Sequence, residues 1–425
     1  MIAFRMLERL SDWRGSTAKP GLSSPPPEPK QDAWWVFAST IGELNAVAPL
    51  LDAMALQLPG LAMVLITDHA HYLESYTARY PTADVVVSQG HSEDALALLA
   101  TRPPRLMVLA EIPLIPSDAP CRCSAAFMLQ ARAHGAHLVG VNGWLYGYEA
   151  SCRMDDIERR WLTTALLSEF DAICVQNEAC QSQLVAAGAS PERIRVTGNL
   201  KLDVLRRTST WTLADARHPA MIQALLDSGR PSLVAGSLKS EGEIDTVLEA
   251  FGLLRRAHPQ ALLVLAPRHP EMPEKMAQIQ NALERRQLQG VRRSLGDEGI
   301  FDLGHAVLIL DTMGELRDFY AVCALAHVGL NHNVIEPLAF GKATTVMHGW
   351  EATYPSFPVY TALRDAGALL TAGDASELSA HWRAAIEARK SRPVASTRIS
   401  ADGSESSLEQ HLKILSPWLE KAKSP

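Results

Sequence analysis

Four turns of this sequence place a glutamate three residues after a polar side chain, where a strand-like apolar run ends. Three of them carry glycine before the glutamate: Thr40-Ile-Gly-Glu43, Ser240-Glu-Gly-Glu243 and Thr312-Met-Gly-Glu315. The fourth, Asn333-Val-Ile-Glu336, lacks the glycine and is followed by proline. Each pattern is typical of the point where a parallel strand ends and a helix begins, and open parallel sheets bind ligands at that edge. The same spacing also forms a capping box, which needs no ligand, so every turn has a structural interpretation beside the functional one.

In the first half of the chain, Glu43 is the leading candidate for a catalytic base. A carboxylate at the edge of a cleft can take a proton from an attacking hydroxyl group. Capping of a helix at Thr40 is the competing explanation, and the two roles are compatible. Ser39 and Gly42 of the same turn, together with Glu111 after a later apolar run, are the predicted acceptor-binding residues.

In the second half, Arg268 and His269 follow a strand-like run in Leu265-Ala-Pro-Arg-His-Pro270. The arginine fork can bind phosphate or carboxylate in bidentate fashion, although a lone loop arginine is often only solvated or salt-bridged. Thr312 and Glu315 are predicted to cap the next helix, which leaves two backbone amides between them for a ligand. The predicted donor-binding residues here are Ser237, Arg268, His269, Thr312, Met313, Gly314, Glu315, His332, Asn333 and Glu336.

The composition describes a soluble globular protein of two ordinary domains. The chain has 425 residues, 47% of them hydrophobic and 20% charged. A net charge of -7 gives no reason to expect nucleic acid as a partner. Six irregularly spaced cysteines fit a reducing compartment, and we expect no metal site. Neither a phosphate-binding P-loop nor a Gly-x-Ser-x-Gly elbow occurs, and Asp-x-Asp, a motif of metal-dependent nucleotide-sugar enzymes, is also missing.

Strand-like runs alternate with helical patterns in two similar series. This alternation predicts an α/β protein with two Rossmann-like domains facing each other across a cleft. We assign residues 32–205 to the first domain, 206–400 to the second and 401–425 to a helix that packs back on the body. The predicted strands are 34–38, 62–66, 84–87, 106–109, 137–141, 172–175, 194–196, 232–235, 261–265, 307–310, 324–328 and 344–347.

Residues 1–31 have a different pattern. Residues 1–14 form an amphipathic helical pattern flanked by arginines, which suits either a membrane surface or packing on the protein itself. The Pro- and Ser-rich stretch from Ser16 to Gln31 is typical of a flexible tether. We expect a cytoplasmic protein, peripheral on the inner face of the bacterial inner membrane if residues 1–14 bind lipid.

Taken together, five motifs resemble the 3-deoxy-D-manno-octulosonic acid (Kdo) transferases, and they occur in the order of that family. They extend over residues 34–345. The motifs are Ser39-Thr-Ile-Gly-Glu43, Val196-Thr-Gly-Asn-Leu-Lys-Leu-Asp203, Ala266-Pro-Arg-His-Pro270, Asp311-Thr-Met-Gly-Glu-Leu316 and His332-Asn-Val-Ile-Glu-Pro337.

The resemblance implies a GT-B glycosyltransferase that moves Kdo from CMP-Kdo to a lipid A precursor, with inversion at the anomeric carbon and without a metal. It implies that Glu43 is the general base and that the second domain binds CMP. Arg268 would then face the donor phosphate or sugar carboxylate. Lys201 would lie at the interdomain cleft and is also a predicted donor-binding residue. Asn333 and Glu336 would lie near phosphate and ribose, with Met313, Gly314 and Glu315 bordering the nucleotide.

Departures from the family pattern fall mainly on the acceptor side. Trp144 replaces an arginine, and Thr67-Asp-His-Ala-His71 replaces a Thr-x-Thr-Gly loop. Of a Glu-x-x-x-Trp-Pro motif, only Glu111 and Pro116 are present. On the donor side, Leu330-Asn331 stands where two glycines are expected. These changes predict an altered glycolipid or glycan acceptor, while the resemblance still implies a CMP-activated acidic sugar, Kdo or a relative, as the donor. The alternatives are an enzyme that uses a UDP- or GDP-sugar and a catalytically inactive GT-B scaffold.

Overall fold

The predicted apolar runs form strands whose side chains are mostly buried, as parallel strands covered by helices require. The chain divides into two units, Met1–Asp203 with Ser404–Pro425, and Val204–Gly403. The computed structural model describes residues 4, 6, 30–111, 119–144, 162–206, 211–296, 301, 304–352, 354, 356–391 and 405–423.

The first unit contains a parallel sheet in the order β3-β2-β1-β4-β5-β6-β7. The strand order reverses at β1, so the edge beyond β1 and β4 is the topological switch point where such sheets bind ligands. The strands are β1 (Ala33–Phe37), β2 (Ala62–Thr67), β3 (Asp84–Val87), β4 (Pro104–Ala110), β5 (His137–Gly143), β6 (Ala172–Val175) and β7 (Ile194–Val196).

The second unit repeats this design in the order β10-β11-β9-β8-β12-β13-β14, again with parallel neighbours. Its switch point lies at β8 and β12. The edge strands β10 and β14 were not predicted, because neither segment is an apolar run and both are largely accessible to solvent. The strands are β8 (Ser232–Leu238), β9 (Leu262–Pro267), β10 (Gly290–Arg292), β11 (Val307–Ile309), β12 (Leu325–Val328), β13 (Ala343–Met347) and β14 (Leu370–Ala372).

Helices lie between the strands, as the alternating pattern predicted. The described helices of the first unit are α1 (Ile41–Gln57), α2 (Leu73–Arg79), α3 (Ser92–Thr101), α4 (Ala119–His134), α5 (Glu178–Ala186) and the C-terminal α13 (Ser407–Lys423). Those of the second unit are α6 (Pro219–Asp227), α7 (Glu241–Ala257), α8 (Pro273–Arg285), α9 (Leu316–Val322), α10 (Ile335–Ala339), α11 (Phe357–Asp365) and α12 (Ala375–Ser391).

Each sheet separates two hydrophobic clusters, because successive side chains of a strand point to opposite faces. In β1, Trp35 and Phe37 join one cluster of the first unit, while Trp34 and Val36 join the other. The two clusters of the second unit are divided in the same way by β8 and β9. All four of these β1 side chains are buried, which fixes the register of the strand at the switch point.

The C-terminal helix α13 packs on the first unit through the buried residues Leu415 and Leu419. Asp203 caps its start, because its two carboxylate oxygens accept hydrogen bonds from the amides of Ser407 (3.0 Å) and Leu408 (2.7 Å). One turn further on, His411 is fully buried. The end of the chain thereby covers the sheet that carries the predicted acceptor residues.

Hydrogen bonds hold His411 as a neutral imidazole. Its Nδ1 donates to the Ser407 carbonyl (2.7 Å), and its Nε2 accepts from the Asn142 amide and the Thr197 hydroxyl, both at 3.2 Å. Burial lowers the pKa of His411 to about 4, against the raising effects of the Ser407 carbonyl and of Asp203.

Only Phe4 and Met6 of the predicted N-terminal helix are described, and Phe4 is buried in the core of the first unit. The remainder of that helix and nearly all of the predicted tether lie outside the described residues. None of the described helices combines the length and apolar character that crossing a bilayer demands.

The buried neutral state of His411 predicts an acid-sensitive core. The folded-state pKa of about 4 lies below the ordinary value of about 6.5, so the unfolded chain takes up the proton first. This contribution to the free energy of unfolding is therefore lost as the pH falls from about 6.5 to about 4, by on the order of 3 kcal/mol. His411→Gln should flatten the dependence of the urea-unfolding free energy on pH in that window. His134→Gln, at an exposed position, is the control, and equal pH slopes for wild type and His411→Gln would contradict the prediction.

Candidate active site

Most of the predicted site residues follow strands at or beside the two switch points. In the first unit, Glu43 and Glu111 come after the neighbouring strands β1 and β4. In the second unit, Ser237 lies at the end of β8 and His332 follows β12, its neighbour. Carboxyl ends of adjacent parallel strands meet at one edge of a sheet, which places each pair on the ligand-binding side of its own unit.

Glu43 combines capping with a position suited to chemistry. Its amide donates to Thr40 Oγ1 (3.2 Å), so Thr40 caps α1, and its Oε2 accepts from the Ser39 amide (2.7 Å). The glutamate is 5% exposed. Gly42 is exposed, and a Cβ there would make only ordinary contact with Thr40 Oγ1 at 3.7 Å. The structural interpretation of this turn is therefore correct, while the catalytic role remains a prediction.

Ser39 connects this turn to the end of β2. Its hydroxyl donates to Asp68 Oδ1 (2.6 Å), and its carbonyl accepts from Thr67 Oγ1 (2.8 Å). The same Asp68 oxygen lies 2.9 Å from His69 Nδ1. The sequence showed Asp68 and His69 only as a departure from the family pattern. Their position directly after a strand at the switch-point edge is the signal that could have marked them.

Glu111 is the centre of a buried polar network. It is 0% exposed and adopts a left-handed backbone with φ of 55°. Its Oε1 forms an ion pair with Lys201 Nζ (2.6 Å) and accepts from Asn142 Nδ2 (3.0 Å). Its Oε2 accepts from Trp144 Nε1 (3.3 Å). This geometry favours an internal anchor over the predicted acceptor contact, and it places Lys201 in the first unit as the partner of Glu111.

Trp144 and Lys201 both contact the Glu111 carboxylate, although the family pattern has arginine at position 144. Where the family pattern has arginine, Trp144 supplies one N–H donor to Glu111 and no charge. Lys201 supplies the positive charge that a buried carboxylate needs. The loss of arginine therefore changes the charge of this region without leaving Glu111 unpaired.

In the second unit, Glu243 holds the loops at the ends of β8 and β12 together. Its Oε2 accepts from the amides of Lys239 (3.0 Å) and Ser240 (2.9 Å), and its Oε1 accepts from the Leu330 amide (2.7 Å). Gly329 is required beside this junction, because a Cβ there would lie 2.5 Å from the Ser237 carbonyl oxygen. Ser237 adopts φ of 62° at the irregular end of β8. The capping interpretation of Ser240-Glu-Gly-Glu243 is thus confirmed.

Arg268 and His332 lie side by side at this edge. Arg268 Nη1 is 3.3 Å from His332 Nε2, and a guanidinium can only donate, so Nε2 is the acceptor and Nδ1 carries the proton of the neutral ring. Burial, and next the charge of Arg268, lowers the pKa of His332 to about 4. Lys239 adds a further positive charge that acts on His332. His269, at φ of 58°, is exposed and contacts Glu271 instead (3.1 Å).

Lys239 was not among the predicted site residues. It is exposed after the end of β8, where its ammonium group lies 3.3 Å from the Tyr354 hydroxyl and 5.7 Å from the ring centre. A basic residue one position past a switch-point strand is the sequence signal that could have identified it. With Arg268, it makes this edge electropositive.

The Thr312-to-Glu315 turn differs from the prediction. Glu315 occupies the N-cap position of α9 without a side-chain capping bond, and instead it accepts from Arg293 Nε (2.9 Å). Thr312 also does not cap the helix, and its buried hydroxyl oxygen has no hydrogen-bond partner. The predicted capping pair is therefore wrong, because the buried guanidinium competes for the Glu315 carboxylate. Met313 and Gly314 remain exposed.

Arg217 shapes the exposed part of this turn. Its Nη1 donates to the Met313 carbonyl (2.9 Å), and a Cβ on Gly314 would lie 2.6 Å from the same atom. Gly314 also has φ of 85°, so a side chain there would be strained as well as crowded. The turn is thus an exposed surface that Arg217 contacts, rather than a helix cap.

The last predicted pair, Asn333 and Glu336, opens α10. Asn333 is exposed, and its Oδ1 accepts from the Ile335 amide (3.1 Å). Glu336 is partly buried and has no protein hydrogen-bond partner within the described ranges. Burial raises its pKa, against the lowering effect of Arg317. An unsatisfied carboxyl group of this kind is suited to ligand hydroxyls.

Asn331 has a left-handed backbone at a position where glycine was expected. It adopts φ of 63°, a conformation that asparagine tolerates better than most residues. Its side chain forms a reciprocal pair with Glu351, at 2.8 Å to the amide and 3.0 Å to the carboxylate. The replacement therefore connects the loop after β12 to the loop after β13.

Over the part of the chain that the structure describes, no group of His, Cys, Asp or Glu side chains converges as metal ligands would.

Comparisons with known proteins agree with this fold and identify a family. A family model described as 3-deoxy-D-manno-octulosonic-acid transferase (kdotransferase) matches residues 9–204. The 3-deoxy-D-manno-octulosonic acid transferase of Bordetella pertussis is 30% identical over 375 residues, which cover 82% of this chain and 78% of that protein. The enzyme of the same name from Haemophilus influenzae is 24% identical over 438 residues, covering 98% and 93%.

Solved structures support the fold at full length. The UDP-GlcNAc 2-epimerase of Neisseria meningitidis, bound to UDP-GlcNAc, superposes with a TM-score of 0.57 at 15% identity and covers 92% of this chain and 100% of that one. The UDP-GlcNAc 2-epimerase of Methanocaldococcus jannaschii also gives 0.57, at 13% identity, with coverage of 91% and 99%. The two Rossmann-like units thus have the GT-B architecture. The chain belongs to the family of Kdo transferases.

The network around Glu111 predicts a structural role for Lys201. Lys201→Met would leave the Glu111 carboxylate buried without its cation, and we expect the free energy of unfolding to fall by about 3 kcal/mol. Lys413→Met, which breaks an exposed ion pair with Glu405, should change it little. Urea unfolding of both variants measures the difference. A loss of nucleotide affinity without a loss of stability would instead support the predicted donor contact of Lys201.

Proposed function

We propose that this protein is an inverting transferase that moves Kdo or a related acidic sugar from a CMP-sugar to a glycolipid or glycan acceptor. The observation that carries the proposal is the pairing of Arg268 with His332 at the switch point of the second unit, with Lys239 nearby. A CMP-activated acidic sugar carries a phosphate and a carboxylate. The two cations Arg268 and Lys239 at one sheet edge therefore suit an acidic sugar better than they suit a neutral sugar.

Transfer requires that the acceptor hydroxyl oxygen bonds to the anomeric carbon while the bond from that carbon to the phosphate oxygen breaks. CMP leaves with the electron pair, and the hydroxyl proton passes to the base. Arg268 and Lys239 would stabilise the charge that develops on the leaving phosphate, which needs no metal ion. Glu336 would accept hydrogen bonds from the ribose hydroxyl groups of CMP, and the exposed Met313-Gly314 turn would border its cytosine ring.

Glu43 is the proposed general base. Its carboxylate lies at the switch point of the first unit, and the Ser39 amide fixes one of its oxygens (2.7 Å). A fixed carboxylate meets the requirement of general base catalysis that the proton acceptor be positioned before the reaction. The proposal of an altered acceptor rests on two changes in this unit. Trp144 stands where the family pattern has an arginine, and His69 lies in the segment that replaces a Thr-x-Thr-Gly loop. We place the reaction at the cytoplasmic face of the inner membrane, with residues 1–14 as a surface contact.

Nucleotide titration tests the donor. Isothermal calorimetry with CMP, UMP, UDP and GDP should show selective binding of CMP. Arg268→Ala should weaken this binding about 10-fold or more, because a charge-assisted hydrogen bond is worth about 1.5–3 kcal/mol. Arg256→Ala, at an exposed arginine of α7, is the matched control. Preference for UDP or GDP would reject the CMP-sugar, and no binding of any nucleotide would favour an inactive scaffold.

Substitution of Glu43 tests the base. Glu43→Gln retains an oxygen for the Ser39 amide but cannot take up the proton, so we expect transfer from CMP-Kdo to fall by about 10²–10⁴-fold. CMP affinity should not change. Glu74→Gln, an exposed glutamate of α2 in the same unit, serves as control. Wild-type turnover by Glu43→Gln would leave the residue with its capping role alone.

A further inference from the structure

The residues Asp68 and His69 form a pair whose geometry is not explained by the fold. Ser39 connects them to the proposed base, since its hydroxyl donates to Asp68 Oδ1 (2.6 Å) and its amide donates to Glu43 Oε2 (2.7 Å). Asp68 Oδ1 is also 2.9 Å from His69 Nδ1. Glu43 and the Asp68–His69 pair therefore contact the same serine at the switch-point edge.

The hydrogen bonds fix the tautomer of His69. An ionised carboxylate can only accept, so the ring nitrogen that faces Asp68 carries hydrogen. In the neutral ring, Nε2 is then the nitrogen with the lone pair. The Asp68 side chain is 4% exposed and the His69 side chain 36% exposed, so the buried acid holds a ring that reaches solvent. Throughout the described ranges, Nε2 of His69 has no hydrogen-bond partner.

The loop does not need this imidazole for its own structure. The His69 amide is already held by Thr67 Oγ1 (3.2 Å), and Gln89 Nε2 donates to the Asp68 carbonyl (3.3 Å). His69 precedes the short turn Ala70–Tyr72 but makes no side-chain capping bond to it. A buried carboxylate that orients a partly exposed histidine is the arrangement by which proteins present one ring nitrogen to a ligand.

Neighbouring groups indicate what that ligand is. The ring centres of His69 and His71 are 5.3 Å apart, and those of His71 and Tyr72 are 4.0 Å apart, so the imidazole stands among aromatic rings. The Asp68 carboxylate next to it opposes the approach of a phosphate oxygen. A lone pair on Nε2 can accept a hydrogen bond from a hydroxyl group but not from an ionised phosphate. The chemistry therefore favours an uncharged, hydroxylated sugar ring.

We propose that the Asp68–His69 pair is an acceptor-binding site in which His69 Nε2 accepts a hydrogen bond from a hydroxyl group of an uncharged sugar ring. His69 contacts the acceptor beside Glu43, and Asp68 is a positioning residue that acts through the tautomer. The site rests on the proposed transfer reaction for its substrate, but the tautomer and the contact are properties of the protein alone.

Nitrogen NMR of the full chain with ¹⁵N-labelled histidine tests the geometry without any turnover. On the alkaline side of neutrality, we expect His69 to carry its proton on Nδ1, and Asp68→Asn should redistribute it between the two nitrogens. The probe is a deacylated lipid A precursor, used in bisphosphorylated and in dephosphorylated form. The dephosphorylated probe should shift the Nε2 resonance of His69.

Kinetics test the role in transfer. His69→Ala should raise the KM for the dephosphorylated acceptor by about 3–10-fold, the value of one neutral hydrogen bond, with kcat changed less than KM. His69→Gln, whose amide oxygen can replace Nε2 as acceptor, should recover part of the loss. CMP affinity should remain as in wild type. His134→Ala, at an exposed histidine of α4, is the control.

Three results would overturn the inference: a proton on Nε2 of His69, no response of that nitrogen to either probe, or a KM effect restricted to the phosphorylated acceptor. Absence of transfer from CMP-Kdo to any acceptor would instead contradict the proposed function, and the NMR titration would still decide on the binding site. Equal KM values for wild type and His69→Ala, with transfer intact, would contradict the site alone.

Discussion

Buried carboxylates that accept hydrogen bonds at the ends of parallel strands hold both halves of this protein in shape. Backbone amides in these turns have no strand or helix partner, and each costs free energy if it is buried without one. Glu43 accepts from Ser39, and Glu243 accepts from Lys239, Ser240 and Leu330. Glu111 does the same for side-chain donors, including the Lys201 ammonium group. The loops that present the exposed site residues are therefore held by hydrogen bonds to these buried acids.

The two switch points differ in charge. In the first unit, the edge carries the acids Glu43 and Asp68 with the neutral partners Ser39 and Thr67. In the second, it carries Arg268 and Lys239 beside a histidine that burial keeps neutral. An edge that accepts protons and an edge that attracts anions are the two requirements of the proposed transfer from an anionic donor to a hydroxyl group.

At the departures from the family pattern, the side chains of this protein have local hydrogen-bond partners. Asn331 has a left-handed φ of 63° where a glycine was expected, and its side chain accepts from the Glu351 amide. Trp144 retains a donor to Glu111 but not the charge of arginine. Asp68 and His69 fill a loop whose amide is held by Thr67. The first unit thus presents Trp144, Asp68 and His69 where the family pattern has other residue types.

The sequence by itself determined the order of strands and helices, the GT-B class and the family, because apolar periodicity and short motifs are local properties of the chain. It also located Glu43 and Glu336 in the first turns of helices that follow strands, and Arg268 in the loop after β9. Only the tertiary structure decided which acids are internal. Glu111 is an internal anchor because Lys201 and Trp144, both distant in sequence, bind its carboxylate. Glu315 does not cap α9 because its carboxylate accepts a hydrogen bond from Arg293 instead. The pairing of Ser39 with Asp68 and His69 also required the parallel register of β1 and β2. Burial and long-range partners determine whether a polar side chain serves the fold or a ligand, and neither can be read from spacing along the chain.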